Sequence, residues 1–306
     1  MVAHGARRAV AFAPGHVTGI FAPADDAPDL AARGSRGAGL VLELGVRATA
    51  TFRPGRVRRL EVRGEDRRAL PISTAAARRL APDRPGVLRV RLRHDLPIGQ
   101  GFGMSAAGAL ATSLAVAQVA HRSRALAVRG AHEADLLGGG GLGGVAAILG
   151  GGLELRRTAG LPPLGRVDHR AFLRPIWVGV LGRPIPTRTA LANPALRRRI
   201  AAQSSALDDL LRRPDPERFL AASERFTDRV GLASRPLDQL LRALRRRGAF
   251  AAQAMFGDSF FAVARGPGRR AELGRWLGRA PVRAVELNAA RRGPFVRARL
   301  TEKPPG

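Results

Sequence analysis

Between Pro97 and Gly108 the chain reads Pro-Ile-Gly-Gln-Gly-Phe-Gly-Met-Ser-Ala-Ala-Gly, with glycine at 99, 101 and 103 and serine at 105. Glycines at alternate positions let a backbone approach a ligand closely and turn its N–H groups outward. The Ala-rich segment that follows reads as a helix. A helix N-terminus adds unpaired N–H groups and the positive end of a dipole, a combination that favours phosphate. Ser105 falls where this helix begins, so its hydroxyl either caps the helix or reaches a magnesium ion. A flexible strand–helix connector with a capping serine would look the same, and the loop alone does not decide between the two. A dinucleotide fingerprint fits badly. Gly101-x-Gly103-x-x-Ala106 follows a half-exposed strand in mid-chain, and no acid lies between His121 and Ala127, about 20 residues on.

Several chemistries are excluded by what is missing. There is no cysteine, hence no disulfide, thiol nucleophile, thiolate zinc site or iron–sulfur cluster. All but one of the 52 basic residues are arginine, and the single lysine is Lys303 in the tail. A Schiff-base lysine, a P-loop lysine and the ATP-binding lysine of protein kinases are therefore ruled out. The six histidines form no metal-ligand pair at helical spacing.

The elements that must carry the loop are legible in the pattern. Arg8 to Phe12 reads as a short strand entering Pro14-Gly15. Gly39 to Phe52 and Val57 to Arg63 read as an antiparallel pair turning at Pro54-Gly55. Leu88 to Arg93 alternates apolar and basic, predicting a strand with one buried face that feeds the glycine run. A helix from Ser105 follows, then one over Arg124 to Leu137 stopped by Gly138-Gly139-Gly140-Gly141. The second half predicts a strand at Pro175 to Leu181 and helices at Pro194 to Arg212, Pro216 to Val230 and Pro236 to Arg247, each with proline near its start. A hairpin turning at Gly257-Asp258, a helix at Gly268 to Leu277, and strands at Val282 to Leu287 and Pro294 to Leu300 complete it. That order implies an α+β chain whose second unit is a split βαβ, ferredoxin-like domain. Gly160 to Pro175 is the expected boundary, giving domains 1–165 and 166–306.

Five ordered segments carry a resemblance. Pro97-x-x-x-Gly101-x-Gly103-x-Ser105-Ala-Ala is similar to the phosphate-binding motif of the GHMP kinases. Ala13-Pro-Gly-His-Val-Thr-Gly-Ile-Phe21, Gly34-Ser-Arg-Gly-Ala-Gly39, Ala131-His-Glu-Ala-Asp135 followed by Gly141-Leu-Gly143, and Ala254-Met-Phe-Gly-Asp-Ser259 resemble segments of the archaeal-type pantoate kinases within that superfamily. The resemblance implies the two-domain GHMP fold, with a ribosomal-protein-like N-terminal domain and a ferredoxin-like C-terminal one. It also implies transfer of phosphate from ATP, with Mg2+, to the 4-hydroxyl of pantoate in coenzyme A biosynthesis, and a homodimer.

Carried over by position, Pro97, Gly99, Gly101, Gly103, Ser105 and Ala106 would bind nucleotide phosphates. Ser105 and Asp135 would be catalytic and hold the metal, and Ser35, His132 and Arg156 would bind pantoate. A guanidinium at 156 suits a carboxylate, which it can grip in bidentate fashion. His132 and Asp135, three apart, share one helix face. Two positions depart from the family pattern: Gly144 replaces an aspartate that would orient or deprotonate the attacking hydroxyl, and Gly140 replaces a threonine. Glu133, Asp25 and Asp26 are the acids that could substitute.

The net charge of +28 is unusual. The arginines are spread over strands and helices without a basic tail or interleaved aromatics. They imply a solvated surface with non-specific, salt-sensitive affinity for polyanions, nucleic acid included. No segment reads as membrane-spanning, and Pro14-Gly15-His16 interrupts the apolar run that a leader after Arg7-Arg8 would need. A cytoplasmic enzyme is expected. Two alternatives remain: a GHMP kinase for another small alcohol (homoserine or mevalonate-like), or a fold that has lost its base and only binds nucleotide or polyanion.

Overall fold

A computed structural model describes residues 6–66 and 69–299. In chain order its elements are β1 (Arg7–Ala24), β2 (Gly34–Pro54), β3 (Arg58–Gly64), α1 (Pro71–Leu80), β4 (Gly86–His94), α2 (Met104–Ala120), α3 (Arg124–Gly138) and α4 (Gly144–Ala147). They continue with β5 (Leu153–Thr158), β6 (Arg166–Arg170), β7 (Ile176–Pro184), α5 (Thr187–Ala192), α6 (Pro194–Ala201), α7 (Ser204–Arg212), α8 (Pro216–Val230) and α9 (Arg235–Arg246). The last are β8 (Ala249–Gln253), β9 (Gly257–Ala264), α10 (Arg269–Leu277), β10 (Arg283–Leu287) and β11 (Phe295–Arg299). Leu300, expected in the last strand, lies outside the described residues.

Among the described residues one sheet has seven strands, β11-β1-β2-β4-β3 with β5 and β6 continuing from β2. The strand expected to stop before Pro14 runs on to Ala24. Its register slips between Pro14 and Gly15 and again between Thr18 and Ile20, and such bulges let a strand carry a proline that cannot donate to the ladder. The expected β2–β3 hairpin does not form. β4 inserts between them, antiparallel to β2 and parallel to β3. The cause is α1, which the sequence reading did not mark: a helix between two strands permits the parallel crossover that a tight turn forbids. β4 then buries Leu88, Val90 and Leu92 and exposes Arg89, Arg91 and Arg93, as its alternation predicts. Helix α2 is buried on nearly every side, against β1, β2, α1 and α3.

The second sheet has the order β10-β7-β9-β8, the ferredoxin-like arrangement of a β-α-β-β-α-β unit. Its helices start where the prolines predict. Asn193, Asp215 and Ser234 accept hydrogen bonds from the first free N–H groups of α6, α8 and α9. The single helix expected over 194–212 is broken at Ala202-Gln203 into α6 and α7. Two segments beyond residue 165 pair into the first sheet: β6 lies against β5, and β11 lies against β1 with Phe295 opposite Phe12. The chain thus leaves the first sheet, builds the second and returns.

The two sheets are joined by α8, which packs on β8 and on β1. Phe219 and Phe226 are buried here, and Phe226 meets Phe21 of β1 at 5.7 Å between ring centres. Gly19 lets the helix come this close. A Cβ at that position would lie 2.7 Å and 2.8 Å from the Phe219 ring, in a core too dense to yield cheaply. Gly19→Ala is expected to destabilise the protein by about 1–3 kcal/mol in urea denaturation, and an unchanged midpoint would show that α8 is free to move off β1.

Candidate active site

Between the sheets lies a cleft of about 120 Å³, partly open to solvent. It is walled by β1, the loop before α2, residues 140–144 and the β8–β9 turn. The glycine loop forms one side. Gly99, Gly101 and Gly103 all have positive φ, between 68° and 78°, a conformation that β-carbon sterics deny to most residues. None of the N–H groups from Gly99 to Ala106 donates a hydrogen bond among the described residues, so those at the start of α2 remain available. The loop is backed by the second sheet. Ser259 donates to the Gln100 carbonyl at 2.6 Å, Gln100 Nε2 donates to Gly182 O at 3.0 Å, and a Cβ on Gly101 would meet Met255 O at 2.5 Å.

Ser105 does not cap α2. The cap position is Gly103, and the Ser105 hydroxyl donates instead to Asp135 Oδ1 at 2.7 Å. Asp135 projects from the last turn of α3, is 2% exposed and has no ion pair among the described residues. Burial pushes its carboxyl up to about 7, against the opposing effect of the Ser105 hydrogen bond. Among the described residues it is the single carboxylate lining the cleft. The pair offers two hard oxygen donors, and no cluster of three or more His, Cys, Asp or Glu suited to a metal occurs among the described residues. Two hard oxygens fit an ion such as Mg2+, which keeps waters and takes other oxygens rather than a full protein cage. Both glycine departures border this pair. A Cβ at 140 would collide with Asp135 Oδ1 and Ser105 Oγ. A Cβ at 144 would lie 2.7 Å from that of Ala106 and 3.8 Å from Asp135 Oδ2, so an aspartate there would add a second carboxylate beside the first.

The opposite end of the cleft is held by a buried polar chain. Glu154, fully buried on β5, accepts through Oε1 from His16 Nε2 at 2.9 Å and from Arg156 Nη1. Burial alone would push its carboxyl up, but the Arg156 charge and the His16 hydrogen bond outweigh that and hold it below the usual carboxylate range. Burial lowers the pKa of His16, which is therefore neutral at pH 7 and donates from Nε2. Arg156 Nε donates to the Ser35 carbonyl at 3.3 Å. Nη2 alone makes no hydrogen bond among the described residues, so the expected two-pronged grip narrows to one free nitrogen beside Ser35. Gly37 and Gly39 make room for the chain: a β-carbon on either would collide with Arg156 Nη2 or His16 Nε2.

The structure thus brings Ser35, Gly99, Gly101, Gly103, Ser105, Ala106, Asp135 and Arg156 to one cleft. His132 is not part of its lining. Its Nε2 sits 3.1 Å from the carbonyls of both Leu30 and Arg33, bracing the turn before β2 that presents Ser35. Pro97 also lies outside the lining, in a shallow groove beside β4. The acids proposed to replace the missing aspartate are engaged elsewhere, Glu133 with Arg129 and Arg79, and Asp25 with Arg197; Asp26, like them, is not in the lining. His16 and Glu154 were missed as site residues. The signal for His16 was its place in the Pro-Gly-His-Val-Thr segment, whereas nothing local distinguishes Glu154 from a strand-edge acid.

No protein-family model matches the chain. It is 35% identical to the pantoate kinase of Thermococcus kodakarensis over 66% of this chain and 69% of that protein. The chain belongs to the pantoate kinase family. The pantoate kinase of Methanospirillum hungatei is also 35% identical, over 61% of this chain and 64% of its own length. A solved phosphotransferase related to the CoA biosynthesis pathway superposes with a TM-score of 0.85 at 29% identity, covering 94% of this chain and 98% of that one. A mevalonate kinase structure, 12% identical with a TM-score of 0.65 over 93% of this chain and 99% of that one, shares the fold. The fold is that of the GHMP kinases, and the pantoate kinase family is a family of small-molecule kinases that use ATP. No helix among the described residues is long and apolar enough to cross a membrane.

The Asp135 carboxyl yields a pH signature. The native state holds its proton up to about pH 7, whereas the unfolded chain releases it near 3.8. Stability from this group is therefore present below pH 4, is lost as pH rises to about 7, and is flat above. Asp135→Asn is expected to gain on the natural protein across that window, by on the order of 4 kcal/mol at pH 8, in urea titrations free of divalent cations. A difference independent of pH would refute the buried, uncompensated carboxylate.

Proposed function

We propose that the protein transfers the γ-phosphoryl group of ATP to the 4-hydroxyl of pantoate, giving 4-phosphopantoate for coenzyme A synthesis in the cytoplasm. The observation that carries this reading is the pairing of two unlike ends in one cleft. Backbone N–H groups at the start of α2 beside Ser105 and Asp135 suit a triphosphate, and the free Arg156 Nη2 beside Ser35 suits a carboxylate. The loop from Gly99 to Ala106 would cradle the β- and γ-phosphates. Ser105 and Asp135 would hold Mg2+, which, when bound, neutralises charge on the phosphoryl oxygens. Glu154 and His16 would fix Arg156 from behind, and His132 would fix the turn that carries Ser35. Phosphoryl transfer depends mainly on alignment and charge neutralisation, so the glycine at 144 is compatible with turnover. The homodimer belongs to the same proposal and is checked by light scattering.

An ADP-release assay with pantoate, homoserine and mevalonate as acceptors tests it. Release should depend on pantoate. Ser105→Ala should lower kcat by about 100-fold or more, and Arg156→Lys should raise KM for pantoate about 10- to 100-fold, because a point charge cannot hold Ser35 O, Glu154 and an acceptor together. Gly144 supports a second reading, a degenerate enzyme. Turnover seen only with Gly144→Asp would establish it.

A further inference from the structure

Phe256 has φ of 65°, a left-handed conformation that is a genuine outlier for a bulky L-residue and is kept only where the surroundings force it. The forcing is visible. Gly257 N donates to Ala254 O at 3.2 Å, Ala254 N to Ser259 O at 3.0 Å, and Gln253 Nε2 to Gly257 O at 2.8 Å, which together close the β8–β9 turn around Phe256. The turn is also wedged against the glycine loop, since a Cβ on Gly257 would meet the Gln100 carbonyl at 2.5 Å. The result of this strain is the placement of an aromatic ring. Phe256 is half-buried, lines the cleft and lies edge-on to Phe21 at 5.7 Å between ring centres, and Phe21 is in turn backed by Phe226.

This wall has a definite neighbour. A β-carbon on Gly37 would lie 3.1 Å from Phe21 Cβ and would collide with Arg156 Nη2. The Phe21 side chain, on which Phe256 is seated, therefore leaves the backbone beside the free guanidinium nitrogen. In pantoate the carboxylate carbon is two bonds from a quaternary carbon bearing two methyl groups, and that carbon is one bond from the CH2 that carries the hydroxyl to be phosphorylated. An acceptor whose carboxylate sits on Arg156 must lay its branched carbon close by, against apolar surface if it is to be bound well.

Resting on the pantoate reading, we propose that Phe256, seated on Phe21, is a specificity-determining residue that reads the two methyl groups of the acceptor. The left-handed backbone at 256 is retained to hold the ring there. The natural competitor for a test is 2,4-dihydroxybutanoate, which has the same carboxylate and both hydroxyls but no methyl groups.

The experiment measures kcat/KM for both acceptors in the natural protein, Phe256→Ala, Phe256→Leu and Phe256→Gly, with thermal unfolding of each. The natural protein should favour pantoate by about 10- to 200-fold, the range that small apolar differences support. Phe256→Ala and Phe256→Gly should cut that ratio to about threefold or less, chiefly through KM for pantoate, and Phe256→Leu should restore most of it. Phe256→Gly, which accepts a positive φ without strain, should unfold at a temperature at least as high as Phe256→Ala does. A ratio unchanged in the Ala and Gly variants, or Phe256→Gly unfolding well below Phe256→Ala, would overturn the proposal. Absence of pantoate turnover in the natural protein would instead overturn the reading on which it rests.

Discussion

A carboxylate taken out of water without a counter-charge is the constraint around which this molecule is arranged. Asp135 is in that position, at the last turn of a helix whose dipole there is negative, with a serine hydroxyl as its hydrogen-bond donor. Such a group is tolerable in two states: protonated, or facing a cation. Pairing α2 with α3 brings it beside the positive end of another helix and beside a loop whose N–H groups donate no hydrogen bond among the described residues. The cleft thus sets an uncompensated acid beside free N–H donors.

Close approach is what the glycines supply, and they do so in two different ways. At 99, 101 and 103 the requirement is a backbone conformation, at 37, 39, 140 and 144 it is space, and Gly101 answers both. Room at 37 and 39 lets Arg156 and His16 lie flat across β2, and room at 140 lets Asp135 and Ser105 touch. The buried Glu154 and the Ser35 carbonyl then hold two of the three guanidinium nitrogens, which fixes the position of the third. A buried pair of this kind adds little net stability, so its value lies in the orientation it imposes.

Much of this was legible in advance, and the failures have physical causes. The loop, the helix it feeds and the ferredoxin-like unit follow from local signals: glycine spacing, alternation in β4, and proline with a capping residue at α6, α8 and α9. Strand partners do not. The Pro54-Gly55 turn looked like a hairpin because nothing local records that α1 would carry the chain back to insert β4. Site residues split along the same line. Ser35, Ser105 and Asp135 sit in short motifs, and the structure brings them, with Arg156, to the lining of one cleft. His132 has the right motif but spends its ring on two carbonyls, and Glu154 acquires its importance only from what β1 and the rest of β5 bring to it.

The return of β11 to the outer side of β1 has a consequence for how the molecule is made. On a ribosome, β1 emerges first, yet its second neighbour is not synthesised until some 270 residues later. Through that interval the larger sheet has an open edge, with Phe12 lacking Phe295. The four-stranded unit, which lies wholly between, can close on its own contacts. Vectorial synthesis would therefore finish the inserted lobe before the lobe that encloses it, and the last strand to appear would seal the sheet on which the whole cleft is built.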